Sequence, residues 1–333
     1  MTEPTEESGE DRLIARYFKP LATHPAAFGL VDDAAALIPP PGQDLVLKTD
    51  AIVGGIHFFP DDPPGLVAQK ALRVNLSDLA GKGAIPLGFL LSIALPKRVD
   101  EAWLAAFSAG LAIDVKHYNC PLLGGDTVRS PDAVMVSVAV IGTVPHGAMV
   151  KRSGAKVGDR IVVTGTLGDA ALGLKLRTDT GAATRWKLPR EQQQHLAHRY
   201  LLPEPRTAAA GVIRAHASGG MDVSDGLVGD LAKLCRASGV SATIDAARVP
   251  LSAAARTAFA AEPALIEPIL TGGDDYEVLA SVPAGQLEAM RAAAVATGTA
   301  LTEIGTVTAG HAPPSVMLHN KPLNFAQRSF SHF

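Results

Sequence analysis

The chain has 333 residues, of which 47% are hydrophobic and 19% charged, and its formal net charge is -3. This length and composition are typical of a globular protein with two domains rather than of a fibrous or disordered chain. The small negative charge, with no basic run interleaved with aromatics, argues against nucleic acid and anionic membranes as partners. No apolar stretch reaches the roughly 18 residues that a membrane span needs.

The N-terminus and the cysteines indicate where the protein works. The first residues, MTEPTEESGEDR, are polar and acidic and contain no apolar signal-peptide core. We therefore expect residues 1–12 to be disordered and the protein to be cytoplasmic. Cys120 and Cys235 are too few for a disulfide framework or a zinc site. Each lies in an apolar segment and is predicted to be a buried thiol in a reducing compartment.

Residues 71–86, ALRVNLSDLAGKGAIP, are predicted to form a buried helix with a polar stripe. Asn75, Asp78 and Lys82 follow at i, i+3 and i+7 and so share one helical face. Such a stripe is compatible with an ion-paired surface face or with a functional carboxylate centre. The many aspartates that elsewhere adjoin glycines or end apolar runs favour the second interpretation, with Asp78 at the centre.

Before this helix, two segments carry carboxylates out of apolar sequence. The glycine-led segment GLVDDAAAL contains Asp33, and residues 44–50, DLVLKTD, alternate like a strand that ends on Thr49 and Asp50. Open sheets place their chemistry at the ends of strands, so these residues are candidate ligands. His57, between an isoleucine and two phenylalanines, is equally compatible with a structural and a functional role.

After the helix, FLLSIAL is predicted to be a buried strand, residues 100–118 a helix and AVMVSVAVIGTV a long strand. Between the last two, PLLGGDTVRS is predicted to be a strand that runs into a Gly-Gly-Asp-Thr turn. Asp126 in that turn is explained either by turn chemistry alone or as an oxygen ligand.

A domain boundary is predicted near residue 150, where KRSGAKVGD places Arg152 among lysines and glycines. This segment is either a solvated basic turn or an arm that contacts phosphates. Further on, MDVSDGL places Asp222 at the end of a strand. Ser224 is the predicted N-cap of the next helix, whose N-terminus would face Asp222 and Asp225.

TGGDDYEVLASV repeats the Gly-Gly-Asp pattern before a strand and offers Asp274 or Asp275. If several of these aspartates converge, divalent cations must offset their repulsion. Oxygen ligands without nearby cysteine or histidine pairs suit Mg²⁺, which bridges to phosphates, so the expected substrate is a polyphosphate such as ATP. No Walker, kinase or dinucleotide glycine motif is present. An ATP site here must be of another type.

The chain resembles the thiamine-monophosphate kinases, which belong to the superfamily of aminoimidazole ribonucleotide synthetase. The resemblance rests on motifs in the right order: VDDAAAL, KTDAIVGGIHF, KALRVNLSDLAGKGAIP, LLGGDTVRSP, KRSGAKVGDRIVVTGTLGDAALGL, YLLPEPR, DVSDGL and TGGDDYE. It implies an α/β (α+β) fold of two domains. Residues 13–149 would bind ATP and Mg²⁺ and form a β-barrel with a second subunit, and residues 150–333 would form an α/β domain with a substrate-contacting tail.

The resemblance also implies ATP-dependent phosphorylation of thiamine monophosphate by a homodimer that uses several Mg²⁺ ions. The positions that match the family's magnesium ligands are Asp33, Thr49, Asp50, Asp78, Asp126, Asp222 and Asp225. Those that match nucleotide contacts are Gly125, Asp126, Arg152 and Ser224. Those that match substrate contacts are His57, Asp274 and Phe330. Of all these, the residues expected to act in catalysis are Asp78, Asp126, Arg152 and Asp222.

Two positions depart from the family pattern. Val31 replaces a glycine beside Asp32, and Lys48 replaces a serine that would lend its oxygen to a metal. Two alternatives to the kinase remain at this point. One is a sister ATP-dependent synthetase of the same superfamily, and the other is a catalytically silent protein that binds ATP and Mg²⁺.

Overall fold

The computed structural model describes residues 9–327 and residue 329, and it divides into two compact units. The first unit contains the chain up to Leu76 together with Pro86–His146, and the second contains Ser77–Ile85 and the chain from Gly147 onwards. The segment Ser77–Ile85 is held within the second unit by hydrogen bonds. Lys82 Nζ donates to the Gly220 carbonyl at 2.8 Å, and the Val150 N–H donates to the Lys82 carbonyl at 3.2 Å.

In the described residues, the first unit combines four strands with three α-helices, counting α2, which ends in the second unit. In chain order these are α1 (Gly9–Leu13), β1 (Gln43–Val53), α2 (Pro64–Gly81), β2 (Ile85–Leu95), α3 (Glu101–His117), β3 (Leu122–Arg129) and β4 (Met135–Pro145). Helix α1 includes residues 9–12, which the sequence analysis assigns to a disordered N-terminus. The acidic residues Glu10 and Asp11 in its first turn suit the N-terminus of a helix.

The sheet of the first unit has the strand order β1-β4-β2-β3, so β1 and β3 are its outer strands in the described part of the chain. β1 and β4 are antiparallel, and β2 and β3 are parallel. Along β1, Val46 and Ile52 are buried while Leu45 and Leu47 are exposed, as the alternation of a strand requires. The sheet is open: the described chain forms no closed barrel.

The predicted Gly-Gly-Asp-Thr turn in the first unit is wrong. β3 continues through these residues to Arg129 and pairs Gly125 with Leu91 and Asp126 with Ser92. A Cβ on Gly125 would lie 1.8 Å from the Leu91 carbonyl oxygen, so the glycine permits strand pairing at this position.

Buried charge holds α2 to α3. Asp114, which is completely buried, accepts from Gln69 Nε2 at 2.8 Å and from Arg73 Nε and Nη2 at 2.7 and 2.8 Å. The helices also cross closely, because a Cβ on Gly110 would lie 2.2 Å from the Gly65 carbonyl oxygen. α2 is thereby fixed in the unit that carries β1.

The second unit contains seven strands and eight helices in the described residues. The strands are β5 (Arg160–Thr164), β6 (Gly219–Val223), β7 (Ser241–Asp245), β8 (Glu277–Val282), β9 (Leu301–Thr308), β10 (Ser315–Leu318) and β11 (Lys321–Pro322). The helices are α4 (Asp169–Thr178), α5 (Ala182–Arg185), α6 (Arg190–Leu201), α7 (Ala210–His216), α8 (Leu227–Ser238), α9 (Ala253–Ala261), α10 (Ile266–Thr271) and α11 (Leu287–Ala296).

The seven strands form one mixed sheet in the order β11-β10-β7-β9-β5-β8-β6, with a hydrophobic core on each face. Alternation along β5 sends Ile161 and Val163 into one core and Val162 into the other. The first core includes Leu227, Leu231 and Leu234 of α8, which lie at i, i+4 and i+7 and so share one face of that helix.

Both cysteines are buried free thiols, and burial raises the pKa of Cys120 to about 12 and that of Cys235 to about 11. No helix in the described residues has the length and apolar character needed to span a membrane.

Candidate active site

The second half of β1, which continues past the predicted end at Asp50 to Val53, is fixed in the first unit by a buried amide on α2. The main-chain N–H of Asp50 donates to Asn75 Oδ1 at 2.8 Å, and Asn75 Nδ2 donates to the Ala71 carbonyl at 3.0 Å. Asn75 is completely buried, so its hydrogen bonds determine where this part of β1 lies. The polar stripe of α2 thus begins with a residue that positions a predicted metal ligand.

The three residues Lys48, Thr49 and Asp50 differ in what their side chains contact. Thr49 Oγ1 donates to the Val138 carbonyl at 3.1 Å, which leaves the lone pairs of the hydroxyl oxygen as acceptors. Lys48 Nζ lies 3.1 Å from Asp50 Oδ1. A serine at position 48, as in the family pattern, could not form this ion pair.

His57 is held at two points in the loop after β1. Its Nδ1 accepts from the Val53 N–H at 3.0 Å, and its carbonyl accepts from Lys70 Nζ at 3.0 Å. With Nδ1 acting as an acceptor, the neutral imidazole carries its proton on Nε2. Any contact of His57 with a substrate through that nitrogen would therefore donate a hydrogen bond.

The segment before Asp33 accommodates Val31 without left-handed backbone at that residue. The positive φ angles fall on Phe28, Gly29 and Leu30, at 47°, 64° and 57°, whereas Val31 has φ -109°. The replacement of a glycine by valine therefore imposes no strain of this kind at position 31. Asp33 itself is exposed.

Asp126 lies on β3, at the opposite edge of the sheet from Asp50. β4 and β2 lie between the two outer strands, so β1 and β3 are about 14 Å apart measured along the sheet. Within one chain, the first unit does not bring these two predicted ligands together.

In the second unit, the last turn of α2 lies against β6. A Cβ on Gly81 would lie 2.9 Å from the carbonyl carbon of Met221 and 3.0 Å from the nitrogen of Asp222, so only glycine allows this approach. Ser77 Oγ donates to the Tyr276 carbonyl at 3.3 Å. The turn that carries Asp78 is thus placed beside the strand that carries Asp222, which is buried.

The prediction that Ser224 is the N-cap of α8 is wrong. The cap residue is Gly226, whose φ of 105° turns the chain into the helix. The buried Asp230, in the first turn of α8, instead accepts from the N–H groups of Ser224 and Asp225 at 3.0 and 2.9 Å. The loop is therefore closed by a carboxylate from inside the helix, and the serine hydroxyl is not used as the cap.

Lys233 joins two carboxylates in this loop. Its Nζ bonds to Asp225 Oδ2 and lies 2.8 Å from Asp230 Oδ1. Burial raises the pKa of Asp230 above its usual value. Burial alone would lower the pKa of Lys233, but its hydrogen bonds to the two carboxylates raise it. Neither Lys233 nor Asp230 is among the residues predicted from the sequence, where the signal for this pair is an i, i+3 spacing on one face of α8.

The structure distinguishes the two adjacent aspartates before β8. Asp275 is buried and caps α4, since its Oδ2 accepts from the Gly168 N–H at 2.7 Å. Asp274 is only half-buried, in left-handed conformation with φ 72°, and its N–H donates to the Ser224 carbonyl at 2.8 Å. Asp274, a predicted substrate contact, thus lies beside Ser224, a predicted nucleotide contact.

The YLLPEPR motif contributes to a buried ion-pair network in the second unit. Arg206 of YLLPEPR donates through Nε to Glu277 Oε2 at 2.7 Å, and Arg199 Nη2 lies 3.0 Å from Glu277 Oε1. Thr164 Oγ1 also donates to Glu277 Oε2, at 2.7 Å. Glu277 is completely buried, so this network satisfies a charge that would otherwise be costly.

Arg152 is exposed, and its carbonyl accepts from Ser238 Oγ at 2.7 Å at the end of α8. Ser224 precedes the start of the same 12-residue helix, which is about 17 Å long at 1.5 Å per residue. The main chains of Arg152 and Ser224 are therefore at opposite ends of α8. They would contact different parts of an extended ligand.

The C-terminal tail contacts the loop before α8, which contains Ser224 and Asp225. Ser329 Oγ donates to the Asp225 carbonyl at 3.3 Å. Phe330, a predicted substrate contact, lies outside the described residues.

The oxygen donors fit Mg²⁺ in kind, although across the described residues no three His, Cys, Asp or Glu side chains are grouped so as to hold a metal ion. Carboxylates and a hydroxyl with available lone pairs are the ligands that Mg²⁺ prefers, and the remaining positions can be filled by phosphates and water. At Asp50, one direction is occupied by Lys48.

Comparison with known proteins gives the same identification along nearly the whole chain. Residues 31–144 match the model of the AIR synthase related protein N-terminal domain, and residues 156–314 match that of the C-terminal domain. The thiamine-monophosphate kinase of Caulobacter vibrioides is 40% identical over 301 residues, which cover 89% of this chain and 83% of that protein. The chain belongs to the thiamine-monophosphate kinases of the AIR synthase related family.

Solved structures of the family share the two-domain fold. The crystal structure of thiamine-monophosphate kinase from Stenotrophomonas maltophilia K279a has a TM-score of 0.82 and 35% identity, and covers 94% of this chain and 96% of its own. AaThiL complexed with AMPPCP and TMP has a TM-score of 0.76 and 29% identity, and covers 95% of this chain and 98% of its own. The resemblance drawn from the motifs is therefore confirmed.

Proposed function

We propose that this enzyme transfers a phosphate from ATP to thiamine monophosphate and releases thiamine diphosphate and ADP. The observation that carries the proposal is the match, over almost the full chain, to kinases of this substrate, one of them solved with AMPPCP and TMP. The loop in which Asp274 adjoins Ser224 supports it, because substrate and nucleotide contacts are expected to be neighbours in a direct transfer.

The reaction places particular demands on the protein. The acceptor is a phosphate oxygen that is already ionised near neutral pH, so no general base has to remove a proton. The protein must instead align two anions in line and offset their charge. This accounts for a set of predicted site residues that consists mainly of carboxylates, with no serine or cysteine assigned as a nucleophile.

Asp33, Thr49, Asp50, Asp78, Asp126, Asp222 and Asp225 are the residues that would hold Mg²⁺. When bound, Mg²⁺ supplies positive charge to the ATP phosphates and orients them. Asn75 positions Asp50 through its main chain, and Gly81 lets the turn bearing Asp78 approach Asp222.

The remaining assignments concern the organic ligands. We assign Gly125, Asp126, Arg152 and Ser224 to the nucleotide, with Arg152 offsetting negative charge that remains on the phosphates. His57, Asp274 and Phe330 are assigned to thiamine monophosphate. An Nε2–H donor on His57 and a carboxylate on Asp274 suit, respectively, the phosphate and the cationic ring of that substrate.

We also propose that the enzyme is a homodimer whose first units complete a barrel. Large apolar side chains are exposed on the open sheet: Leu45, Leu47, Leu90, Val128 and Met135. A second copy that pairs its β3 edge with β1 would cover this face and satisfy both outer strands. It would also bring the partner's Asp126 next to Asp50, which one chain alone keeps at the opposite edge.

We also propose a cytoplasmic location, because the ATP that this reaction consumes is available there and two buried cysteines without a disulfide are compatible with a reducing compartment.

The test of the kinase proposal is a product assay with three acceptors. ADP release is measured with ATP and Mg²⁺ in the presence of thiamine monophosphate, thiamine or no acceptor, and the products are identified by mass. We expect ADP and thiamine diphosphate in equal amounts with the monophosphate only. ADP without thiamine diphosphate, or equal rates with all three, would overturn the proposal.

A further inference from the structure

Lys48 and Asp50 form an ion pair within one strand. The two residues are two positions apart on β1 and therefore point to the same face of the sheet. Lys48 Nζ lies 3.1 Å from Asp50 Oδ1, and the two side chains are 31% and 41% exposed. More than half of the Lys48 side chain is covered, so its ammonium group has less freedom to leave the carboxylate than that of a fully solvated lysine.

The position of Asp50 does not depend on Lys48. Its main chain is held by the buried Asn75 and by strand pairing, in which Asp50 is opposite Val138. The Asp50 main chain would therefore stay in place if the ammonium group were removed, and its carboxylate would project from the same point of the strand. With Lys48 present, a unit positive charge occupies Oδ1, and a divalent ion at that oxygen would have to displace it.

We propose that the Lys48 ammonium group takes the place of one divalent cation beside Asp50, so that this enzyme binds one ion fewer with its nucleotide than it would with a neutral residue at position 48. The inference rests on the proposed function in that Asp50 is assigned there to Mg²⁺ binding. It goes further, because it assigns part of the charge compensation to a side chain of the protein.

The experiment counts bound Mn²⁺, which accepts the same oxygen ligands as Mg²⁺ and is measured directly by electron paramagnetic resonance. Free and bound Mn²⁺ are titrated with saturating AMPPCP for the wild-type protein and four variants. Lys48→Ser and Lys48→Gln remove the charge, and Lys48→Arg keeps it. Lys116→Ser removes a charge from an exposed position on α3 and serves as the matched control. Thermal melting verifies that each variant is folded.

We expect one additional Mn²⁺ per chain in Lys48→Ser and Lys48→Gln, and the wild-type number in Lys48→Arg and Lys116→Ser. An unchanged or lower number in both neutral variants would overturn the inference. The Mn²⁺ count is independent of the kinase proposal, which is tested by thiamine diphosphate formation in the wild-type protein. A wild-type protein without turnover whose neutral variants gain an ion would retain the inference and lose the proposed substrate.

Discussion

Asp274 and Asp275, the two adjacent aspartates before β8, have different physical roles that the sequence alone does not distinguish. Asp274 lies at the surface of the loop that contacts Ser224, whereas Asp275 is buried against the start of α4. Burial raises the pKa of Asp275 well above its usual value, more than its hydrogen bonds from the Gly168 and Ala170 N–H groups lower it.

This raised pKa predicts a pH dependence of stability. The unfolded chain releases the Asp275 proton near pH 4, while the folded protein retains it to higher pH. The free energy of unfolding should therefore fall as the pH rises from about 4 towards the folded pKa. Asp275→Asn removes this contribution, so its stability relative to the wild type should improve with pH in urea unfolding at pH 4 to 7.

Asp179→Asn is the control for the pH experiment. Asp179 is exposed, and its hydrogen bond with Arg185 lowers its pKa. The contribution of Asp179 to the free energy of unfolding is present above its unfolded pKa and is lost as the pH falls. The stability of Asp179→Asn relative to the wild type should therefore not increase as the pH rises. A constant difference between Asp275→Asn and the wild type at every pH would contradict the assignment of Asp275.

At the scale of elements, α2 matters because it carries Asp78 and because its Asn75 holds the main chain of Asp50. Its contact with α3 depends on Asp114, to which Gln69 and Arg73 both donate. Asp114→Ala would leave the Arg73 guanidinium, whose side chain is only 12% exposed, without this carboxylate. We expect a loss of about 3–5 kcal/mol in the free energy of unfolding, measured by urea denaturation.

Glu101→Ala, on α3 like Asp114→Ala, is the control for this experiment. Glu101 pairs with Arg16 at 2.8 Å, but both side chains are mostly exposed. A solvated pair of this kind contributes about 1 kcal/mol or less. Equal effects of the two substitutions would show that burial of Asp114 does not stabilise the contact between α2 and α3.

The sequence predicts well what depends on local periodicity. The alternation in DLVLKTD identifies β1, although the strand continues past Asp50 to Val53. The apolar pattern of residues 71–86 identifies the second half of α2, but the helix ends at Gly81 and the last two of these residues already belong to β2. The sequence-based prediction fails where the local structure is determined by a residue from another part of the fold. Gly125 is drawn into β3 by pairing with β2, and Asp230 rather than Ser224 closes the loop before α8.

The candidate site follows the same division. The motifs identify which residue types are present, because carboxylates beside glycines and strand ends are visible in the sequence. They do not reveal that Asn75 positions Asp50, that Asp275 caps a helix or that Lys48 pairs with Asp50. The first two contacts join residues that are distant in the sequence, and the third depends on the side-chain conformation of Lys48.

For the whole molecule, the exposed sheet of the first unit predicts dependence on a second copy. Leu47 is 71% exposed on β1 in the single chain. In the proposed dimer Leu47→Glu would bury a charge, so we expect it to sediment as a monomer and to lose turnover. Val295→Glu, at a 77% exposed position on α11, should remain dimeric and active. A dimeric Leu47→Glu, or a fully active monomer, would contradict the shared site.

The measurement that tests the account most directly is the turnover of Asp78→Asn with ATP, Mg²⁺ and thiamine monophosphate. The substitution keeps the shape of the side chain and removes the charge of the residue that we propose as the centre of the carboxylate site. We predict a fall in kcat of at least about a hundredfold, with a melting temperature close to that of the wild type. A folded Asp78→Asn enzyme with near-normal kcat would contradict the claim that these carboxylates support phosphoryl transfer.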